Sequence, residues 1–217
     1  AEVEIANYPF TTIKANHGVG YVKVDCIEGE FGVKCNPNHG FCLNGQRFVP
    51  IDLMDVAGLV PGASEGKGLG NQFLDDLRQA DAFIHIVDIS GETDIEGKPT
   101  KGHDPLEDIK FLEEELDNWY YNIFMKGWRV FARRVETQGK KLSEAVANQF
   151  SGLKVNEFQV KRVLSELGLS EKCSSWKDED VKKFASGLRK KSKPMIIACN
   201  KIDLGKGKEN YERLRAD

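Results

Sequence analysis

The chain has 217 residues, 31 Lys and Arg against 34 Asp and Glu, a formal net charge of −3, and 40% hydrophobic residues. A chain of this size buries a substantial core, as one large domain or one domain carrying an insert. The charge excludes a global field drawing it to DNA or other nucleic acid, so any such contact must be local, and no apolar run approaches the length of a membrane span. The five cysteines are odd in number and read as reduced thiols of a cytoplasmic protein, not as a disulfide framework.

Near the amino end, Tyr8-Pro9-Phe10-Thr11-Thr12 is loop-like, because Pro9 disfavours helix at Tyr8. On the residues alone, Thr11-Thr12 reads as the start of a strand. Gly20 to Asp25 alternates as an edge strand does, and it is predicted to pair with Gln46 to Met54 through the turn region Asn36 to Gly40. Cys26, Cys35, His39 and Cys42 fall in that loop-rich segment and have the chemistry of four zinc ligands. Their spacing does not match the paired short Cys-x-x-Cys pattern, and chance clustering on a hairpin is the blander reading.

The apolar run Phe48 to Met54 ends in Asp55-Val56-Ala57-Gly58. At the carboxyl end of a buried strand, such a carboxylate holds Mg²⁺ through its water shell. A glycine there lets its backbone N–H approach a terminal phosphate closely. A glycine-rich loop follows, and Asn71 to Ala80 is predicted helical, with Phe73, Leu74 and Leu77 on one face.

Ala82 to Ile89 is a further apolar strand, with His85 read as a satisfied core histidine. Asp104-Pro105-Leu106-Glu107 is a helix start, with an N-cap Asp and Pro at the first helical position. From there to about Lys193 the chain is predicted helical. Ile109, Leu112, Leu116, Trp119 and Ile123 form one stripe, and Trp128, Phe131, Val135, Leu142, Val146 and Phe150 another. Shorter helices carry Val163, Leu164 and Leu167, then Val181, Phe184 and Leu188, with a capping box at Ser175 and Asp178. Basic residues cluster here: Arg129, Arg133, Arg134, Lys140, Lys141, Lys182, Lys183, Arg189, Lys190, Lys191 and Lys193. Solvated helix faces are their default reading.

Pro194 to Cys199 is another short strand, followed at once by Asn200-Lys201-Ile202-Asp203. That pattern suits guanine, because the Asp carboxylate accepts from the ring N1–H and the exocyclic amine together. Adenine does not offer this pair of donors, and a site built around them rejects it. No Gly-x-x-x-x-Gly-Lys-Ser/Thr occurs in the chain; Gly91 to Thr100 comes nearest, but its spacing is wrong and Pro99 stands where a hydroxyl belongs.

Asn7-Tyr8-Pro9-Phe10-Thr11-Thr12, Asp55-Val56-Ala57-Gly58-Leu59-Val60 with Gly62-Ala63 and Gly66 to Leu74, and Asn200-Lys201-Ile202-Asp203 together resemble the Obg family of translation-associated GTPases, in particular its YchF-related branch. The resemblance implies an α/β, three-layer P-loop NTPase-like (Ras-like) fold with a mostly parallel sheet and an α-helical insertion. It divides the chain into a core over 1–103 with both switch loops, a helical insertion over 104–192, and a returning core segment over 193–217.

It implies Thr12 and Asp55 as Mg²⁺ residues, Gly58 against the γ-phosphate, and Asn200, Lys201 and Asp203 against the guanine of GTP or GDP. Typical YchF proteins depart from Asn-Lys-x-Asp and favour ATP, so this chain looks like a GTP-preferring relative. Leu59 stands where many GTPases carry a water-positioning Gln. Hydrolysis would then need a slow intrinsic rate, K⁺, or a group supplied by a partner, and the residues do not name a catalytic group. The basic clusters gain a sharper reading as contacts to ribosomal RNA. In the resembled family the phosphate loop lies just upstream of Thr12, so the chain is expected to be a fragment that binds GTP weakly or not at all. Two rivals to the GTPase reading are an ATPase of the YchF type and a non-hydrolysing ribosome-binding module.

Overall fold

The computed structural model describes residues 16–56 and 77–216, which fall into two compact units and are taken one at a time. In the first unit, β1 (Asn16–Asp25), a helical turn α1 (Glu28–Phe31), β2 (Phe41–Leu43) and β3 (Gln46–Asp55) form an antiparallel sheet of order β1-β3-β2.

The predicted pairing of Gly20 to Asp25 with Gln46 to Met54 is present, with Gly20 opposite Ile51 and Asp25 opposite Gln46. The turn is elsewhere than expected. Asn36 to Gly40 leads into β2, and the reversal into β3 is made by Asn44-Gly45, with φ values of 50° and 73°. Asn-Gly with both residues at positive φ is the type I′ signature whose twist matches a two-residue hairpin. Phe41 stacks on Phe48 across this hairpin at 4.6 Å, and Tyr21 meets Phe41 at 5.4 Å.

In the second unit, β4 (Phe83–Asp88) and β5 (Met195–Asn200) pair in parallel, Phe83 opposite Met195 and Asp88 opposite Asn200. A parallel pair needs a crossover, and here it consists of α2 (Pro105–Met125), α3 (Trp128–Thr137), α4 (Leu142–Gln149), α5 (Glu157–Leu167) and α6 (Asp178–Ser192). A final helix, α7 (Gly207–Ala216), follows β5.

The predicted start of α2 is as expected: Asp104 accepts from the Leu106 N–H at 3.0 Å, and Pro105 takes the first helical position. Its buried stripe is rotated from the predicted one. Leu116 and Trp119 are in the core, but Tyr120 and Phe124 join them in place of Ile109, Leu112 and Ile123, which are half-buried. The second predicted stripe is buried throughout, although Gly139, at φ 62°, separates α3 from α4.

Aromatic rings unite these helices: Phe124 stacks on Phe150 at 3.9 Å, Trp128 on Trp176 at 5.4 Å, and Phe184 meets Trp176 edge-on at 5.0 Å. Such pairs add about 0.5–1.5 kcal/mol each beyond their buried area. The capping box of α6 lies two residues beyond the predicted one. The Asp180 carboxylate accepts from the Lys177 N–H at 2.9 Å, while the Ser175 hydroxyl donates to the Lys172 carbonyl instead.

Arg189 on α6 is buried and donates to the Asp117 carboxylate of α2 at 2.6 Å, with Glu113 at 3.4 Å. Lys193, fully buried, donates to the carbonyls of Arg78 and Ala80. Burial pushes the Lys193 ammonium down to about 8.

Candidate functional site

The site begins where β4 and β5 end side by side. After Asn200 the chain leaves β5 through Lys201, whose φ of 59° places a side-chain-bearing residue in the left-handed region. Such a conformation costs about 1 kcal/mol or more and persists where surroundings over-determine it. Here the determinant is Asp88, the last residue of β4: the Lys201 ammonium donates to Asp88 Oδ2 at 2.7 Å. The Ser90 hydroxyl donates to Asp88 Oδ1 at 2.6 Å, the Ser90 N–H to the same oxygen at 3.0 Å, and the Thr93 hydroxyl to Oδ2 at 2.8 Å.

Burial pushes the Asp88 carboxyl up. The Lys201 ammonium, the two Ser90 donors and Thr93 outweigh it and hold the group at about 2. Asp88 is therefore an ionised, fully engaged anchor.

The turn beyond Lys201 is seated on the 88–93 segment. The Lys206 N–H donates to the Ser90 carbonyl at 3.0 Å, and Asn210 on α7 donates to the Ile89 carbonyl at 2.9 Å. Gly205 has φ 46°, and a Cβ there would lie 2.6 Å from the Ser90 carbonyl oxygen. A Cβ on Gly207 would lie 2.6 Å from the Ile202 carbonyl oxygen. Both glycines are required by close backbone approach. The outcome is a rigid turn with Asn200 and Asp203 exposed at its ends and Lys201 tethered between them.

Of the residues predicted from sequence, Asn200, Lys201 and Asp203 come together on this turn. Asp55 ends β3 in the other unit, opposite Asn16, with its side chain exposed. Thr12 and Gly58 lie outside the described residues, as does most of the predicted Asn71 to Ala80 helix; Leu77 at its end is helical and buried. The Gly91 to Thr100 segment, rejected as a phosphate loop, is a turn closed by a Thr93–Pro99 bridge.

His85 lies on β4 and is pushed down to about 4 by burial, so it is neutral at ordinary pH. It is half-buried and not in the core, and its Nδ1 has no hydrogen-bond partner among the described residues, against the expectation of a satisfied core histidine. The residue that sequence reasoning missed is Asp88. Its signal was an acid closing an apolar strand whose parallel neighbour ends in Asn-Lys.

A parallel strand pair closed by a long helical crossover, with an exposed Asn-Lys-x-Asp turn at the strands' carboxyl ends, has the architecture of the α/β class of proteins, in which ligands sit beyond the carboxyl ends of the strands. The family described as 50S ribosome-binding GTPase matches residues 1–124. A GTP-binding protein of Methanocaldococcus jannaschii is 50% identical over 214 residues, covering 99% of this chain and 54% of that protein. The ribosome-binding ATPase YchF of Bacillus subtilis is 30% identical over 229 residues, covering 99% of this chain and 55% of that protein. The crystal structure of a GTP binding protein from Pyrococcus horikoshii superposes with a TM-score of 0.77 at 42% identity, over 93% of this chain and 54% of the other. The chain spans about half the length of these relatives. It belongs to the 50S ribosome-binding GTPase family of P-loop GTPases, with the GTPase-domain α/β fold and with Obg and YchF proteins among its relatives. Among the described residues, no helix is long and apolar enough to cross a membrane.

Proposed function

We propose that the protein is a cytoplasmic GTPase that binds GTP with Mg²⁺ and hydrolyses it to GDP and phosphate as a switch on the ribosome. The carrying observation is the Asn200–Asp203 turn, held on the end of the β4–β5 pair by the Lys201–Asp88 ion pair. Asp203 accepts from the guanine N1–H and exocyclic amine. Lys201, its ammonium held by Asp88, lays its aliphatic stem along the ring plane. Asn200, at the end of β5, bonds the base edge and the turn.

Asp55 fits a Mg²⁺ role chemically: it is an exposed hard-oxygen donor at the carboxyl end of a strand. Thr12 would complete the metal's protein ligands and Gly58 would donate its N–H to the γ-phosphate. Mg²⁺ supplies charge neutralisation of the phosphates when bound. K⁺ is the proposed aid to hydrolysis in the absence of a Gln at position 59. The organisation that goes with this reading is a core over 1–103 and 193–217, interrupted by the helical insertion over 104–192.

The insertion is the proposed ribosomal RNA contact, through fewer residues than its sequence offers. Arg189 and Lys193 are buried, Lys183 pairs with Glu179 at 2.8 Å, and Lys191 with Glu166 at 3.0 Å. Arg133, Lys140, Lys141, Lys182 and Lys190 remain exposed for phosphates. An ATP preference is the second reading, favoured by the likeness to the YchF protein and opposed by Asp203.

The test is phosphate release by the full-length protein with GTP or ATP, with and without ribosomes. GTP hydrolysis stimulated by ribosomes supports the proposal. ATP turnover without GTP turnover selects the second reading, and turnover of neither refutes the switch.

A further inference from the structure

In the first unit, three cysteines far apart in sequence converge. Cys26 directly follows β1 and is pinned by its N–H to the Gly45 carbonyl at 2.8 Å. Cys42 stands in the middle of β2, opposite Arg47 of β3. Cys35 lies in the connection between α1 and β2, its N–H donating to the Glu28 carboxylate at 3.0 Å. The Cys42 and Cys26 sulfurs are 3.4 Å apart, and all three Sγ atoms lie within 4.8 Å of one another.

Those separations decide between two kinds of sulfur chemistry. A disulfide requires sulfurs about 2.05 Å apart, and pairing any two of three thiols would strand the third. Tetrahedral zinc with Zn–S bonds of about 2.3 Å sets its sulfurs about 3.8 Å apart, inside the observed range. All three side chains are half-buried, so an ion has a path to them.

The surroundings fit a thiolate centre as well. Arg47 donates from Nη1 to Cys35 Sγ at 3.6 Å and from Nη2 to the His39 carbonyl at 3.2 Å. Three thiolates around a dication leave a net negative charge, which a guanidinium donating to one sulfur offsets. The same side chain clamps the backbone of His39, whose imidazole is the next soft donor in the loop. The segment between β1 and β2 also has little else to order it. Its helical turn has four residues, and Ile27, Phe31 and Val33 are 60%, 68% and 65% exposed. Where apolar burial is missing, a metal cross-link is a way to fix a loop.

We propose that Cys26, Cys35 and Cys42 form a structural zinc site that staples the segment between β1 and β2, with the exposed His39, which stands outside the three-sulfur cluster, turning in as the fourth ligand when the ion binds. The sequence spacing misled because the ligands come from a strand end, a loop and a second strand, and not from one Cys-x-x-Cys knuckle. An iron–sulfur cluster spreads its ligating sulfurs over several iron atoms, and three sulfurs all within 4.8 Å of one another suit a single ion better.

The experiment uses the full-length protein purified under reducing conditions. Elemental analysis is expected to find about one zinc per chain, and the metal-stripped protein is expected to take up Co²⁺ with the intense thiolate-to-cobalt charge-transfer band of tetrahedral sulfur ligation. Cys35→Ser and Cys42→Ser should abolish both signals. His39→Ala should keep the charge-transfer band and weaken cobalt binding about tenfold or more; unchanged binding removes His39 from the site. Should the cysteine variants fail to fold, the wild-type metal content and cobalt spectrum decide alone. Metal-free wild-type protein that develops no such band overturns the proposal, and so does a disulfide between any two of the three cysteines. Guanine-nucleotide binding is read separately, so a failed GTPase assay leaves this result standing.

Discussion

Lys201 and Asp88 meet across the parallel pair β4–β5, ammonium to carboxylate at 2.7 Å, and this contact fixes the Asn200–Asp203 turn from the neighbouring strand. The two residues are 113 apart in sequence, with the whole helical crossover between them. Asp88→Asn should therefore act on nucleotide binding without touching nucleotide. The expected loss in GTP affinity of the full-length protein is about tenfold, or 1.4 kcal/mol, read by fluorescent-nucleotide titration. Lys201→Met should lose a similar amount, and the double variant little more than either alone, because the pair acts as a unit.

Gly205→Ala tests the seating of the same turn from the other side. The added Cβ would meet the Ser90 carbonyl oxygen at 2.6 Å, at a φ of 46° that alanine adopts poorly. Loss of about 1–3 kcal/mol of stability is expected in urea unfolding, with a parallel loss of GTP affinity.

Acid sensitivity should follow two groups. Half-buried His85 takes its proton at about 4 when folded, against 6.5 when unfolded. The unfolded chain therefore binds more protons between those values, and stability falls as pH drops through that window. His85→Leu should flatten the melting temperature between pH 6.5 and 4. It should also leave neutral-pH stability intact, because Nδ1 has no bond among the described residues to lose. Asp88 is depressed from 3.8 to about 2, so its contribution is complete above 3.8 and disappears only toward pH 2. Asp88→Asn should remove that lower limb.

The buried Arg189 predicts an ordering of variants. Asp117→Ala would leave an almost fully buried guanidinium, 2% exposed, without its main partner and should cost about 3 kcal/mol. Arg189→Met should cost less, because Asp117 is 21% exposed and retains the Ser186 hydroxyl at 2.6 Å. Chemical denaturation of the two variants and the double substitution measures this directly.

Much of this was legible in the chain. The ends of β4 and β5, the Asp104 cap and the buried stripe from Trp128 to Phe150 follow from apolar runs closed by polar residues. What escaped were relations that depend on register and rotation. The α2 stripe turned toward Tyr120 and Phe124 because the aromatic cluster with Phe150 and Phe184 claims that face. Ser175 looked like a cap, but its hydroxyl was already used on the Lys172 carbonyl. Asn44-Gly45 carried the hairpin signal that was assigned instead to Asn36 to Gly40. Asp88 was invisible as a site residue until the parallel register put it opposite Asn200. The Asn200 to Asp203 turn is recognisable from local pattern alone, since its residues are contiguous in sequence.

Whether Asp203 reads guanine is decided by competitive titration of the full-length protein with GTP, ATP and XTP, before and after Asp203→Asn. Mg²⁺-dependent GTP binding should fall at least about tenfold in the variant. XTP binding should rise, because the new amide donates to the carbonyl that xanthine carries in place of the exocyclic amine. Equal GTP affinity in the two proteins, or ATP outcompeting GTP in the unaltered one, would contradict guanine reading by Asp203.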